Sequence, residues 1–338
     1  MPALSSRIRR LAAVAAVIIG GAGGAVAGPA WLAAATTAPH VTLSPGSGPP
    51  TSAVRVSGAG FGAHKAVDIY LDTTDEALAT TNASGSFSNI TITVPASSVP
   101  GKHWVTAIQR PSGPSAQAAF TVRTNWSQFR YSGNHTGSNP YENVLSPANV
   151  AALDQAWSYP TGADLAYSSP AVVNGVLYAG SDSGNVYALN ASTGARLWSY
   201  ATGSQVDSSP AVANGVAYVG SNDHNVYALK AATGAKLWSY TTGSDVVLSS
   251  PAVANGVVYI GSEDENVYVL NAAIGAKLWN YVAGDGVDSS PTVVNGVVYV
   301  SSLDGNLHAF RLPGGLATPA RPSPGNLHPN DSLRTQRP

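Results

Sequence analysis

The chain has 338 residues, enough to bury a sizeable core in two domains. Its 17 Lys and Arg against 18 Asp and Glu leave a net charge of -1, with no basic footprint for nucleic acid and no acidic tail. The absence of cysteine excludes disulfide staples, thiolate metal sites, cysteine nucleophiles and covalent haem attachment.

At the N-terminus, Arg7, Arg9 and Arg10 precede an apolar run from Leu11 to Ala27 that ends in the small residues Ala25-Val26-Ala27. This is the layout of a secretory signal peptide over residues 1–27, with an uncleaved anchor as the alternative. Arg9-Arg10 leaves general secretion and twin-arginine export both open. A linker, 28–40, follows.

Residues 41–123 read as about seven short alternating strands. The clearest are Val41–Ser44, Ala53–Ser57, Val67–Leu71, Phe87–Val94, His103–Ile108 and Ala118–Val122, punctuated by Gly-, Pro- and Asn-rich turns. That pattern predicts an immunoglobulin-like sandwich without its Cys–Trp–Cys core. Val54 to Phe61 resembles the strand and Gly-Phe turn of bacterial surface Ig-like modules, which implies a spacer. Residues 124–153 form a linker, and Trp126 to Arg130 resembles the lead-in that precedes certain propellers.

From 154 to 312 the grammar becomes an internal repeat. Trp157, Trp198, Trp238 and Trp279 are spaced 41, 40 and 41 residues apart. Ser-Ser-Pro triplets ending at Pro170, Pro210, Pro251 and Pro291 each lead to an Asn-Gly pair, the signal of a type I′ hairpin. Each unit divides into four antiparallel strands, such as Pro170–Val173, Val176–Gly180, Val186–Leu189 and Arg196–Tyr200. The inner strands are apolar on both faces, as between stacked sheets.

The stretch Tyr178 to Trp198, with Val186-Tyr187-Ala188-Leu189 and Thr193-Gly194, resembles the pyrroloquinoline-quinone-like propeller repeat and recurs as Tyr218 to Trp238 and Tyr259 to Trp279. The resemblance implies that Gly194, Gly234 and Gly275, together with the four tryptophans, dock one blade onto the next. The fourth repeat is incomplete: in register, Pro319 falls on the tryptophan position. Gln155 to Tyr159 is an orphan last strand around Trp157. Placed in the final blade, it predicts a closed ring of four four-stranded blades; an open arc and an assembly across chains are the alternatives. Residues 313–338 are Pro-, Gly- and Arg-rich and are predicted to be a disordered tail.

No catalytic residue and no metal site is predicted. The seven histidines lack ligand spacing, and nucleophile-elbow, phosphate-loop and zinc-protease motifs are missing. Asp182, Asp223, Asp264 and Asp304 read as turn residues bonding their own backbone. Asp164, Asp207, Asp245 and Asp288 lie in the connections that rim one channel mouth, where they predict attraction for a cation or a basic ligand.

The resemblance raises a quinone-dependent oxidoreductase, but the adjacent-cysteine disulfide of its alcohol-oxidising members is missing and no Glu/Asn/Asp calcium set stands out. A second resemblance is to the propeller lipoprotein of outer-membrane barrel assembly, which carries a lipobox cysteine that this chain lacks. The resulting expectation is a secreted or cell-surface, non-enzymatic binding or scaffolding protein without a cofactor. Its partner is a protein, a glycan or a small molecule; nucleic acid and a membrane span after leader cleavage are not expected.

Overall fold

A computed structural model describes residues 38–313 apart from 133, 134, 166 and 247. The described residues from Pro39 onward belong to one compact unit. The predicted leader and nearly all of the predicted tail lie outside the described residues.

The first strands are β1 (His40–Ser44), β2 (Ser47–Gly48), β3 (Ala53–Ala59), β4 (Ala66–Leu71), β5 (Thr74–Thr80), β6 (Phe87–Thr93), β7 (Gly101–Gln109) and β8 (Ser115–Val122). They form two sheets, β1-β3-β6 and β2-β8-β7-β4-β5, the short β2 running parallel to β8. Alternation places Val54, Val56, Val67, Ile69, Val105 and Phe120 in a single core. β5 is not evident from the sequence pattern because Thr-Asp-Glu-Ala-Leu-Ala-Thr is mostly polar, as suits the edge of its sheet.

The repeats then build four sheets. Blade one is β9 (Ala171–Val173), β10 (Val176–Ser181), β11 (Asn185–Asn190) and β12 (Arg196–Ala201). Blade two is β13 (Ala211–Ala213), β14 (Val216–Ser221), β15 (Asn225–Lys230) and β16 (Lys236–Thr241). Blade three is β17 (Ala252–Ala254), β18 (Val257–Gly261), β19 (Asn266–Asn271) and β20 (Lys277–Val282). Blade four holds only β21 (Thr292–Val294), β22 (Val297–Ser301) and β23 (Leu307–Arg311). Asn174 and Gly175 have φ of 56° and 77°, and their three copies repeat this, as a type I′ turn requires. The core runs from blade to blade: Trp198 and Tyr178 pack with Leu229 and Ala231, and Trp238 and Tyr218 with Leu270 and Ala272.

The predicted four-stranded closure is not formed. Blade four has three strands, and Gln155–Tyr159 belongs to no sheet among the described residues. Trp157 lies instead on blade one: its ring fills the space beside Gly194, where an added Cβ would come within 2.7 Å of it. Its Nε1–H donates to Ala191 O at 3.0 Å. The segment sits where the outermost strand of a preceding blade would sit, with Trp157 and Tyr159 packed on blade one.

Candidate functional site

The connections from one outermost strand to the next innermost strand form the candidate site. Serines hold them in place. The Gly180, Gly220 and Gly261 N–H groups donate to the hydroxyls of Ser168, Ser208 and Ser249. The second serine of each triplet crosses between blades: Ser169 N–H donates to Ser209 Oγ at 2.9 Å, Ser209 N–H to Ser250 Oγ at 3.0 Å and Ser250 N–H to Ser290 Oγ at 3.0 Å.

Backbone bonds set the register of the rim. Asp182, Asn222, Glu263 and Leu303 donate their N–H groups to the carbonyls of Asp164, Gln205, Asp245 and Gly286. Asp164 and Asp245 therefore share one position, while Asp207 and Asp288 stand two residues further on. The four aspartates expected to form one ring fall into two rows. The turn aspartates also divide: Asp182 is in the row of Asn222, and Ser183 is the counterpart of Asp223, Asp264 and Asp304.

Carboxylates act on one another electrostatically in two sets of three, two blades apart. Asp164 and Asp207 are the charges that face Asp182, and Asp245 and Asp288 those that face Glu263. Each member of the second group lies 81 residues beyond its counterpart in the first. Burial, then contact with the Asp207 carboxyl and the charges of Asp207 and Asp164, holds the Asp182 pKa above the usual carboxylate range. Glu263 is raised by desolvation and by Asp288 and Asp245, and Asp288 by its burial.

Asp207 is 6% exposed, and its Oδ2 accepts from Asn222 Nδ2 at 2.8 Å. The Oδ1 atoms of Asp207, Asn222 and Asp288 are buried without a donor from the chain. His224 Nε2 stands 3.4 Å from Asp245 Oδ1. Among the described residues no three His, Asp or Glu side chains come together closely enough to hold a metal ion. The rim is thus an array of separated acceptors, a geometry for extended cationic groups.

The lead-in segment, whose sequence indicates no role beyond its resemblance, runs across the inner strands of the blades. Trp126 and Val172 exchange backbone hydrogen bonds of 2.7 Å, and Ser127 O accepts from Val212 N–H at 2.6 Å. Gln128 Oε1 accepts from Val253 N–H at 3.2 Å, and His135 Nδ1 lies 3.0 Å from Thr292 Oγ1. Inner-strand groups of all four blades are thereby bonded by the chain's own residues.

Two clefts lie elsewhere. One of about 680 Å³ sits between blades three and four and is lined by Trp279, Val298, Phe310 and Leu312. A smaller one, about 260 Å³, is in the sandwich beside Asp72 and His103. The docking glycines match their tryptophans one blade on: Gly234 lies against Trp198 and Gly275 against Trp238, so close that a Cβ at either glycine would come within 2.7 Å of the ring. Trp198 and Trp238 are 9% exposed; Trp279, which meets Phe310, is 42% exposed.

Residues 146–333 match the family described as outer membrane protein assembly factor BamB. No curated protein matches the chain. Among solved structures it is similar to BamB from Moraxella catarrhalis, at 27% identity and a TM-score of 0.43 over 47% of this chain and 50% of that one. It is also similar to the quinohemoprotein alcohol dehydrogenase of Comamonas testosteroni, at 22% identity and a TM-score of 0.48 over 53% of this chain and 35% of that one. The quinohemoprotein alcohol dehydrogenase ADHIIG of Pseudomonas putida HK5 matches at 24% identity and a TM-score of 0.47, over 53% and 34%. The chain spans about half the length of the BamB structure and about a third of the dehydrogenases.

Proposed function

We propose that this chain, which belongs to the outer membrane protein assembly factor BamB family, is a non-enzymatic envelope platform that binds a Lys- or Arg-bearing protein segment along its acidic rim. The observation that carries the reading is the pair of carboxylate groups, Asp164–Asp182–Asp207 and Asp245–Glu263–Asp288, with raised pKa values at Asp182, Glu263 and Asp288. A guanidinium or ammonium group brought to either triad relieves the mutual repulsion of its carboxylates.

Two further features support binding over catalysis. Inner-strand groups that would face a central ligand are engaged by Trp126, Ser127, Gln128 and His135. Among the described residues the rim also lacks a nucleophile held by a base. Within the same proposal the sandwich is an immunoglobulin-like spacer, supported by the strand order β1-β3-β6 and β2-β8-β7-β4-β5. The Arg-led apolar run of residues 1–27 supports export to the cell surface or the medium. Among the described residues no helix is long and apolar enough to cross a membrane.

The test is titration with oligo-arginine and oligo-lysine peptides by calorimetry at low and physiological salt. Binding that weakens with salt is expected, together with a loss of about tenfold or more, roughly 1.4 kcal/mol, in the combined Asp182→Asn, Glu263→Gln and Asp288→Asn variant. Equal binding by that variant, or no binding at low salt, defeats the reading. Quinone-dependent oxidation of an alcohol in a dye-linked assay after reconstitution would replace it with the enzymatic alternative.

A further inference from the structure

We infer that residues 155–159 of one copy form the fourth strand of blade four in a second copy, so that two chains close one eight-bladed ring. The segment already makes two of the docking contacts of an outermost strand. Trp157 Nε1–H donates to Ala191 O at 3.0 Å, as Trp198 does to Ala231 O at 2.8 Å and Trp238 to Ala272 O at 3.0 Å. Tyr159 lies 5.6 Å from the Tyr187 ring, as Tyr200 lies 5.5 Å from Tyr227 and Tyr240 lies 5.4 Å from Tyr268. It has the docking contacts of a blade whose other strands this chain does not place beside it.

Blade four offers the complementary defect. β11, β15 and β19 each carry an outer strand, whereas among the described residues β23 pairs with β22 alone. Leu307 is 74% exposed where Val186, Val226 and Val267 are fully buried, and Tyr299 is 37% exposed where Tyr178 and Tyr218 are at 3%. The chain's own blade one therefore does not cover this face. On the opposite end, Leu177 is half-buried where Ala217 and Val258 are fully buried.

One hydrogen bond is also missing at each end. Ala231 O and Ala272 O each accept twice, from a Trp Nε1–H and from the hydroxyl of Tyr178 or Tyr218. Ala191 O accepts from Trp157 without a tyrosine, and Tyr299 is the tyrosine of blade four at that position. Docking blade four of one copy onto blade one of the next delivers Tyr299 to Ala191 O and lays the partner's strand 155–159 along β23. The junction continues the interface already present between blades one, two and three. It is head-to-tail, and two copies using it twice give eight blades, within the usual four to eight of closed propellers, and leave no free edge.

The native chain has no cysteine, so introduced pairs report unambiguously. Tyr187 faces Ser199, Tyr227 faces Ser239 and Tyr268 faces Asn280; by the same register His308 faces Ser158 of the second copy. The full-length chain with Ser158→Cys and His308→Cys is oxidised and run without reductant, alongside light scattering of the unsubstituted protein. A covalent dimer and a two-chain mass in solution are expected. A cross-link within one chain overturns the proposal in favour of closure by the chain's own strand, and a one-chain mass without cross-linking overturns it outright. Leu307→Lys, at a position already exposed in the single chain, is expected to give a folded one-chain species; an unchanged two-chain mass for that variant sinks the proposed interface.

Discussion

The carboxylate of Asp223 accepts from Tyr227 O–H at 2.6 Å, from Gly203 N–H at 2.6 Å and from Asn225 N–H at 3.1 Å. Burial opposes its charge, but these donors outweigh burial and hold its pKa below the ordinary range. Asp182, one row away in the counterpart turn, is pushed the other way by burial and by Asp207 and Asp164. The two have opposite linkage. A depressed pKa gives Asp223 a stabilising contribution that is present above the unfolded value of about 3.9 and lost as the pH falls through the folded value. A raised pKa makes charged Asp182 a cost at neutral pH, one that disappears as the pH falls from above its folded value to the unfolded value. Asp182→Asn is accordingly expected to raise the melting temperature at pH 7 and to confer no advantage near pH 3, measured by calorimetry across that range. A variant that melts lower at pH 7 would show that the Asp182 charge is satisfied and the triad is not strained.

Besides their apolar contacts, elements are joined by small polar groups at the strand starts. Ser208 is fully buried, and its hydroxyl is the acceptor for Gly220 N–H at 3.1 Å. Ser208→Ala leaves that N–H without a partner and is expected to cost about 1–3 kcal/mol in urea unfolding, more than the loss of an exposed hydroxyl such as Ser199. Equal costs at the two positions would remove the serine bonds from the account. The repeat and its hairpins were legible because their determinants are local: Asn-Gly fixes two positive-φ residues and the tryptophan spacing fixes the blade period. Trp126, Ser127, Gln128 and His135 carry no such signal, since their partners Val172, Val212, Val253 and Thr292 are remote and the bonds are largely to backbone. The rim was misaligned for a related reason. Asp164 and Asp207 lie in corresponding connections, whereas the carbonyls that accept from Asp182 and Asn222 belong to Asp164 and Gln205. The 81-residue spacing of the acidic triads was present in the sequence but invisible to a count made blade by blade.

Across the whole molecule, stability is distributed as a chain of nearest-neighbour interfaces beside a separate sandwich core. The interface between blades one and two includes Tyr178, Trp198, Val219, Tyr227 and Leu229, and that between two and three includes Tyr218, Trp238, Ile260, Tyr268 and Leu270. Between blades three and four the fully packed set shrinks to Val267, Val287 and Val300. Blade two is thus clamped on both faces by large aromatic contacts, whereas blade four is held on one face by three valines and a half-exposed Trp279. Local opening follows buried contacts, so protection should fall along the arc and not uniformly. Hydrogen exchange read by mass spectrometry is expected to show the slowest amides in β14 and β15 and the fastest strand amides in β22 and β23 at low protein concentration. Raising the concentration should slow β23 selectively if a second copy supplies its missing neighbour, because mass action stabilises only the paired state. Uniform exchange across the four blades would mean that they open as one cooperative unit, and the interface-by-interface account would then fail.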